Sequence, residues 1–401
     1  MQRLLYVRGA VACGIATLFC AYQFMMQSAP SVMVFDLSQD LSLTLTQVGF
    51  TGSAFLYVYL FCQIPAGILA DRLHPGKLLA VGCLLMVVAI YWFAHSESYW
   101  QALMSRGLMG IATSPAVVVG LSLIARWFPE RMFPFLSGLL ESVAMLGGAL
   151  GPLTLPAMIE QIGWRSCMLW LAVAGIVLSL LLILCIKNPE GYRNTTEANE
   201  HYDWGSLLAN SNFWLCCIYG FGLFVLINSF AGLWGIPFME NRFTGEPAQA
   251  KYAVSLIYIG AAFGAPIVGF LSSLLGRTIL IMQISAILLI LCSCYIFFSN
   301  CDSHSMCFCC FFTGFISGGY LLVFAEVRKL VPIAMEGVAI AAANAVTLMG
   351  GPLIQPLIGW LLEQNKGEEL TVSNYSNAMV IFILCQLLSF VCITIYRYRR
   401  G

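Results

Sequence analysis

The sequence predicts an all-α polytopic membrane protein of twelve transmembrane helices, arranged as two six-helix repeats. Three observations carry that expectation. Of its 401 residues 60% are apolar and 9% charged, and mean hydropathy is +0.86, whereas a soluble domain carries roughly a quarter charged residues. The apolar runs recur at lengths near the ~20 residues that cross about 30 Å of hydrocarbon at 1.5 Å per residue. The basic residues gather on one side of the topology that those runs define.

Charged or turn-rich breaks delimit spans over 9–32, 46–69, 78–95, 100–125, 134–158 and 166–186. A second set follows over 212–236, 252–273, 278–298, 306–328, 337–362 and 378–396. The first run, Gly9 to Met33, is too long and too polar at its end for a signal peptide and has no cleavage-like site, so it reads as a span. The longest polar segment, "KNPEGYRNTTEANEHYDWGSLLANS", falls at the midpoint. It divides the chain into an N-terminal six-helix bundle (1–190), a cytoplasmic linker (191–211) and a C-terminal bundle (212–401).

With both termini inside, fourteen basic residues fall on inner segments, among them Arg72, Lys77, Arg126, Arg328 and Arg400. Four fall on outer segments (Arg165, Arg242, Lys251 and Lys366), and Arg106 lies within a span. This positive-inside bias sets the orientation.

The halves repeat. "ESVAMLGG" (Glu141 to Gly148) precedes "NAVTLMGG" (Asn344 to Gly351) by 203 residues, and the same offset relates Pro129 to Pro332. In the second and eighth spans Gly67, Leu69 and Asp71 face Gly269, Leu271 and Ser273, one residue off that spacing. Six-helix repeats with both ends inside are parallel copies, which enclose a solute site near the midplane and expose it to one side at a time.

Composition narrows the function classes. Zero formal charge without a basic cluster speaks against nucleic acid. The sixteen cysteines mostly sit inside apolar runs and read as small packing residues; Cys307, Cys309 and Cys310 have no His or acid at ligand spacing, so no metal or cofactor is expected. No GxxxxGK[ST] loop is present, which points to a gradient rather than ATP as the driving force. His74, His95, His201 and His304 lie near span ends or in loops with no nucleophile–base spacing, so an enzyme is not expected.

Charged and polar residues inside spans are the candidate site, because each costs about 2.5–3.5 kcal/mol on insertion scales. Arg106, opening "RGLMG" in the fourth span, holds an anionic group of the solute or pairs with an acid, or else makes a purely structural pairing or snorkels toward the outer surface. Glu141, eight residues into the fifth span, is placed for proton coupling or solute binding, or else for a structural hydrogen bond. Asn344 occupies its repeat position, so a protonation duty falls to the first half. Gln23 and Gln27 share one face of the first span, whose Pro30 frees a backbone carbonyl that something must satisfy. In the second span Gln63 joins one of Tyr57 and Tyr59, with Tyr57 chosen; two residues apart, they do not face one cavity. Asn228 offers an amide in the seventh span. Glu326, beside Arg328 and Lys329, reads as a local salt bridge.

Twelve spans in two repeated halves, with the loop "GILADRLHPGK" between the second and third, resemble the major facilitator superfamily. Gly67, Leu69, Ala70, Asp71 and Arg72 match the family's inner-loop signature; His74 and Pro75 stand where Gly and Arg are usual, and Gly76 where a base is common, with Lys77 following. The resemblance implies a gating role for Gly67, Asp71, Arg72 and Lys77, with Asp71 in a latch at the cytoplasmic side. "RGLMG" is similar to the family's fourth-helix Arg-x-x-x-Gly pattern, which implies proton or solute coupling at Arg106. "GGALGP" partly resembles a motif of antiporters. Further stretches ("SAPSVM", "QIPAG", "RWFPERM") are similar to a phagosomal transporter group of intracellular bacteria. The resemblance implies proton-coupled uptake of a small polar metabolite, an amino acid first, across a bacterial inner membrane by a monomer in the lipid bilayer. Organic anion or nucleoside symport is the alternative, and proton-driven export of amphipathic compounds the next.

Overall fold

The computed structural model describes residues 2–129, 132–186, 204–243, 247–300, 302–332, 335–364 and 370–400. Among them all regular structure is helical, in two compact units, Met1–Ala198 and Asn199–Gly401. Residues 187–203, which hold most of the expected linker, lie outside the described residues. Eleven helical stretches among the described residues are long and apolar enough to cross a membrane. One of them, α7 (Phe133–Cys185), would run to about 80 Å at 1.5 Å per residue. Gly163 breaks it, with φ 76° and ψ 156°, a backbone region open to glycine and strained for other residues. Taken as two legs on either side of Gly163, α7 brings the candidate crossings among the described residues to twelve.

In the first unit α1 (Gln2–Ser28) continues as a 3₁₀ turn over Ala29–Val32 and a short helix α2 (Val34–Asp40). Next comes α3 (Leu45–Arg72), started by a capping box in which Gln47 N donates to Thr44 Oγ1 (3.2 Å) and Thr44 N to Gln47 Oε1 (3.0 Å). Pro75 opens α4 (Pro75–Ala94) at a position that needs no amide donor. The fourth crossing is α5 (Tyr99–Thr113) joined to α6 (Pro115–Trp127), with Pro115 restarting the helix.

In the second unit α8 (Trp204–Ala209) leads into the seventh crossing. This is α9 (Ser211–Val225), a π-helical stretch over Leu226–Trp234 and α10 (Gly235–Arg242). Then follow α11 (Pro247–Leu275) and α12 (Thr278–Phe298). The tenth crossing is α13 (Ser303–Ser317), a 3₁₀ turn and α14 (Leu322–Arg328). The last two are α15 (Glu336–Leu348) with α16 (Gly350–Gln364), and α17 (Val372–Arg400).

Small residues and interhelical hydrogen bonds hold such bundles, since lipid offers no hydrophobic contrast. The same joints recur in both units, as a repeat requires. Ser28 Oγ donates to Gly148 O (3.0 Å) between α1 and α7, and Ser229 Oγ to Gly350 O (2.8 Å) between the π stretch and α16. Gly110 of α5 packs on the Phe55 carbonyl of α3, and Gly314 of α13 on the Ile257 carbonyl of α11. Gly147, in "GGALGP", lies against the Ala21 backbone so closely that a Cβ would overlap it. Gly147→Ala is therefore expected to force α1 and α7 apart at a cost of about 1–3 kcal/mol, read as a lower thermal midpoint in detergent.

The end of the first unit that carries Lys77 explains the family departures seen in sequence. A side chain at Gly76 would meet the Ile186 carbonyl at 2.8 Å and the Leu182 carbonyl at 3.0 Å, so no base fits there. His74 precedes α4 with its Nδ1 buried and unpartnered. Burial, then the charges of Lys77 and Arg126, hold its imidazole below the usual histidine range. Arg126 Nη2 donates to Ala70 O (3.2 Å), tying α6 to the end of α3. Gly67 is half-buried and Lys77 exposed; the side chains of Asp71 and Arg72 lie outside the described residues.

Candidate functional site

Arg106 is buried to 1% exposure on α5, beside a small cavity also lined by Met26, Met33, Met109 and Met168. Its environment follows from Pro30. Met26 O would normally accept from the amide of residue 30, and proline has none. Arg106 Nη1 takes that acceptor at 2.8 Å and also reaches Met109 Sδ at 3.5 Å. Nη2 donates to Gly52 O (3.3 Å) and Gln27 O (3.5 Å), and the guanidinium lies 5.2 Å from the Phe55 ring centroid. Nε is buried without a partner. The carbonyl that Pro30 leaves without its helical donor is thus matched by Arg106. Among the described residues no carboxylate lies within ion-pair distance of Arg106, and its hydrogen-bond partners are backbone carbonyls and a thioether.

A second polar cluster forms where α1, α3 and the first leg of α7 meet. Gln23 is buried with Oε1 unpartnered. The Tyr59 hydroxyl sits beside Gln23 and Gln63, and the Glu141 carboxylate lies close enough to Cys20 and Tyr59 to act on them electrostatically. Tyr59 rather than Tyr57 therefore joins this cluster: Tyr59 is 4% exposed, whereas Tyr57, two residues along, turns to another face and is half-buried. Gln63, Gln27 and Glu141 are half-buried.

In the second unit Asn228 is part of a cross-brace. Its Nδ2 donates to Leu348 O (3.2 Å), and its own carbonyl accepts from Gln355 Nε2 (2.7 Å). Trp234 Nε1 donates to Gln355 O (2.9 Å) and Ser229 Oγ to Gly350 O. These bonds bind the π stretch to the break between α15 and α16, satisfying backbone groups that irregular helix exposes. Gln355 Oε1 is left buried and unpartnered, with the Tyr258 hydroxyl also close to Gly232. Asn344 is half-buried on α15. Sequence reasoning missed Gln355, although a glutamine inside the apolar "GPLIQPLIGW" is the signal that finds it.

Glu326 is 1% exposed and accepts from Lys329 Nζ (2.6 Å), Arg400 Nη1 (2.8 Å) and Tyr396 Oη (3.0 Å). The local pair with Lys329 expected from sequence is present, and it is joined by two residues of α17. Arg397 Nη1 donates to Gln283 Oε1 (2.7 Å) and Arg399 Nη1 to Ser211 Oγ (2.6 Å), so the basic end of α17 clasps α9, α12 and α14.

Among the described residues, apolar crossings in two units with matching joints around buried polar centres make this a polytopic membrane protein of the carrier type. The sequence profile of the Major Facilitator Superfamily matches residues 14–243 and 228–401, and the chain belongs to that family. Among curated relatives, the "Probable L-galactonate transporter" of Escherichia coli (strain K12) is 27% identical over 48% of this chain and 46% of its own length. The "Probable sulfoacetate transporter SauU" of Cupriavidus necator is 28% identical over 42% of this chain and 39% of its own. These matches span less than half the length of either relative. A solved bacterial homologue of the human lysosomal transporter Spinster, inward-facing and occupied, superposes with a TM-score of 0.77 at 14% identity, over 96% of both chains. That likeness concerns the fold. The family and these relatives are transporters, not enzymes.

Proposed function

We propose that this secondary transporter carries a small organic anion, taken up together with a proton. The observation that carries the reading is Arg106, a buried guanidinium whose partners are carbonyls, a thioether and a ring, with no acid within ion-pair distance among the described residues. An uncompensated buried charge costs several kcal/mol, and an anionic solute offsets that cost whenever it binds. The two relatives above carry names of anionic solutes, a sugar acid and a sulfonated acetate, and support the same class. Amino acids are the second reading, favoured by Glu141 in the same unit, which can face an ammonium group.

Glu141 is the proposed proton site, because it is an acid within an apolar crossing, beside Cys20 and Tyr59. Gln63, Tyr59 and Gln23 line its surroundings; Tyr57, Gln27, Asn228 and Asn344 are the remaining proposed solute contacts. Gating at the loop is assigned to Gly67, Asp71, Arg72 and Lys77. The chain works as a monomer in a bacterial inner membrane with both termini cytoplasmic, as the basic residues order it.

The test is uptake into proteoliposomes of radiolabelled galactonate, sulfoacetate, amino acids and nucleosides, with and without an inward proton gradient. Carboxylates should accumulate and the gradient should raise their uptake. Accumulation of neutral nucleosides with no competition by carboxylates would overturn the anion reading. Glu141→Gln is expected to keep solute exchange between preloaded vesicles and lose the response to the gradient. Uptake by that variant that still rises with the gradient would remove Glu141 from coupling.

A further inference from the structure

The antiparallel helices α12 and α13 meet at a groove of about 600 Å³ that opens to the surface, lined by Tyr295, His304, Ser305, Phe308, Cys309 and Phe312. Nothing in the transport reading uses it. Cys292 lies six residues before the end of α12 and Cys309 six residues after the start of α13. Both are therefore about 9 Å from that end. Cys309 Sγ lies 3.6 Å from Cys292 O, and the two thiols are side-chain hydrogen-bonding neighbours, with the Thr313 hydroxyl beside them. Both are free thiols. Packing alone accounts for a small apolar side chain at either position. It does not account for two thiols in mutual contact, one of them forming part of an open groove.

We propose that Cys309 and Cys292 form a thiol–disulfide exchange site for a small amphipathic disulfide, R–S–S–R, admitted through this groove. Phe308, Phe312 and Tyr295 offer an apolar wall for the R group, and His304 and Ser305 a polar rim. Cys309, after passing its proton to water at the groove mouth, attacks one sulfur of the reagent. The reagent's S–S bond breaks, one RS⁻ leaves and is protonated to RSH, and Cys309 carries the mixed disulfide. Cys292 then loses its proton and attacks the Cys309 sulfur, expelling the second RS⁻, which is protonated in turn. Two protein thiols have given up two electrons and two protons, and one disulfide has become two thiols. The product is a covalent staple between α12 and α13, reversible by excess thiol.

The test uses the full chain in nanodiscs treated with 2,2′-dithiodipyridine, quenched with N-ethylmaleimide and mapped by peptide mass spectrometry. The expected product joins the Cys292 and Cys309 peptides and is separated by dithiothreitol. In Cys292→Ser protein the reaction should stop at a pyridyl disulfide on Cys309; in Cys309→Ser protein Cys292 should stay a thiol. Two results overturn the proposal. One is wild-type protein carrying separate pyridyl groups on both thiols without a cross-link. The other is recovery of both as thiols while Cys294, exposed two residues further along α12, is modified.

Discussion

Arg106→Gln is expected to lower solute transport by about 100-fold. Glutamine can reach one of the acceptors that the guanidinium holds. Losing two charge-assisted bonds at about 1.5 kcal/mol each amounts to about 3 kcal/mol, near a hundredfold in an equilibrium. Arg106→Lys separates charge from geometry. It retains the positive charge but replaces the planar fork that spans Met26 O, Gln27 O and Gly52 O by a single point donor. If the charge serves the solute, the lysine variant should regain part of the affinity for anions, seen as a lower KM than that of the glutamine variant. If Arg106 only finishes the end of α1, both variants should lose thermal stability alike and share the wild-type KM. Uptake kinetics and a thermal midpoint on the same preparations distinguish the two.

Glu326→Ala should have the largest effect on stability. The carboxylate is buried and holds Lys329, Arg400 and Tyr396; its removal leaves the buried Tyr396 hydroxyl without its acceptor and two partly exposed cations side by side, at about 1–3 kcal/mol. Arg400→Ala should cost about 1 kcal/mol or less, because its side chain is 32% exposed and Lys329 still neutralises the acid. Thermal unfolding in detergent checks the order. Equal losses in the two variants would mean that α17 is tethered by Arg400 itself and not by the buried acid.

Much of the fold was legible because a bilayer permits so few solutions. Apolar runs of span length, a midpoint polar segment and a 203-residue offset lead to twelve crossings in two repeats, and the structure repeats the Ser28–Gly148 joint as Ser229–Gly350. The irregular end of the first crossing was legible at Pro30, whereas the break at Pro115 lay unread inside the expected span 100–125. The π stretch over Leu226–Trp234 was not legible either, since "LINSFAGLW" contains no proline and a single glycine does not specify a π register; that register is held by Asn228, Trp234 and Gln355 across to another crossing. The site shows the same division. Arg106 stood out as a charge in an apolar run, and Pro30 as the source of an orphaned carbonyl. That one answers the other is a contact between residues 80 positions apart, which no local pattern encodes. The choice between Tyr57 and Tyr59 depended on how α3 is rotated in its bundle, and spacing says only that they differ.

The bond from Arg106 to Met26 O also has a meaning for assembly. A chain that enters the membrane from its N-terminus delivers Pro30, and with it an unmatched carbonyl in the first crossing, long before it delivers the guanidinium of the fourth. Until then that carbonyl must stay near water or in the insertion machinery. The first crossing is thus left unfinished by design of its own sequence, and the arrival of the fourth closes it. The order of synthesis becomes an order of sealing, in which α1 cannot settle fully into lipid before α5 is beside it.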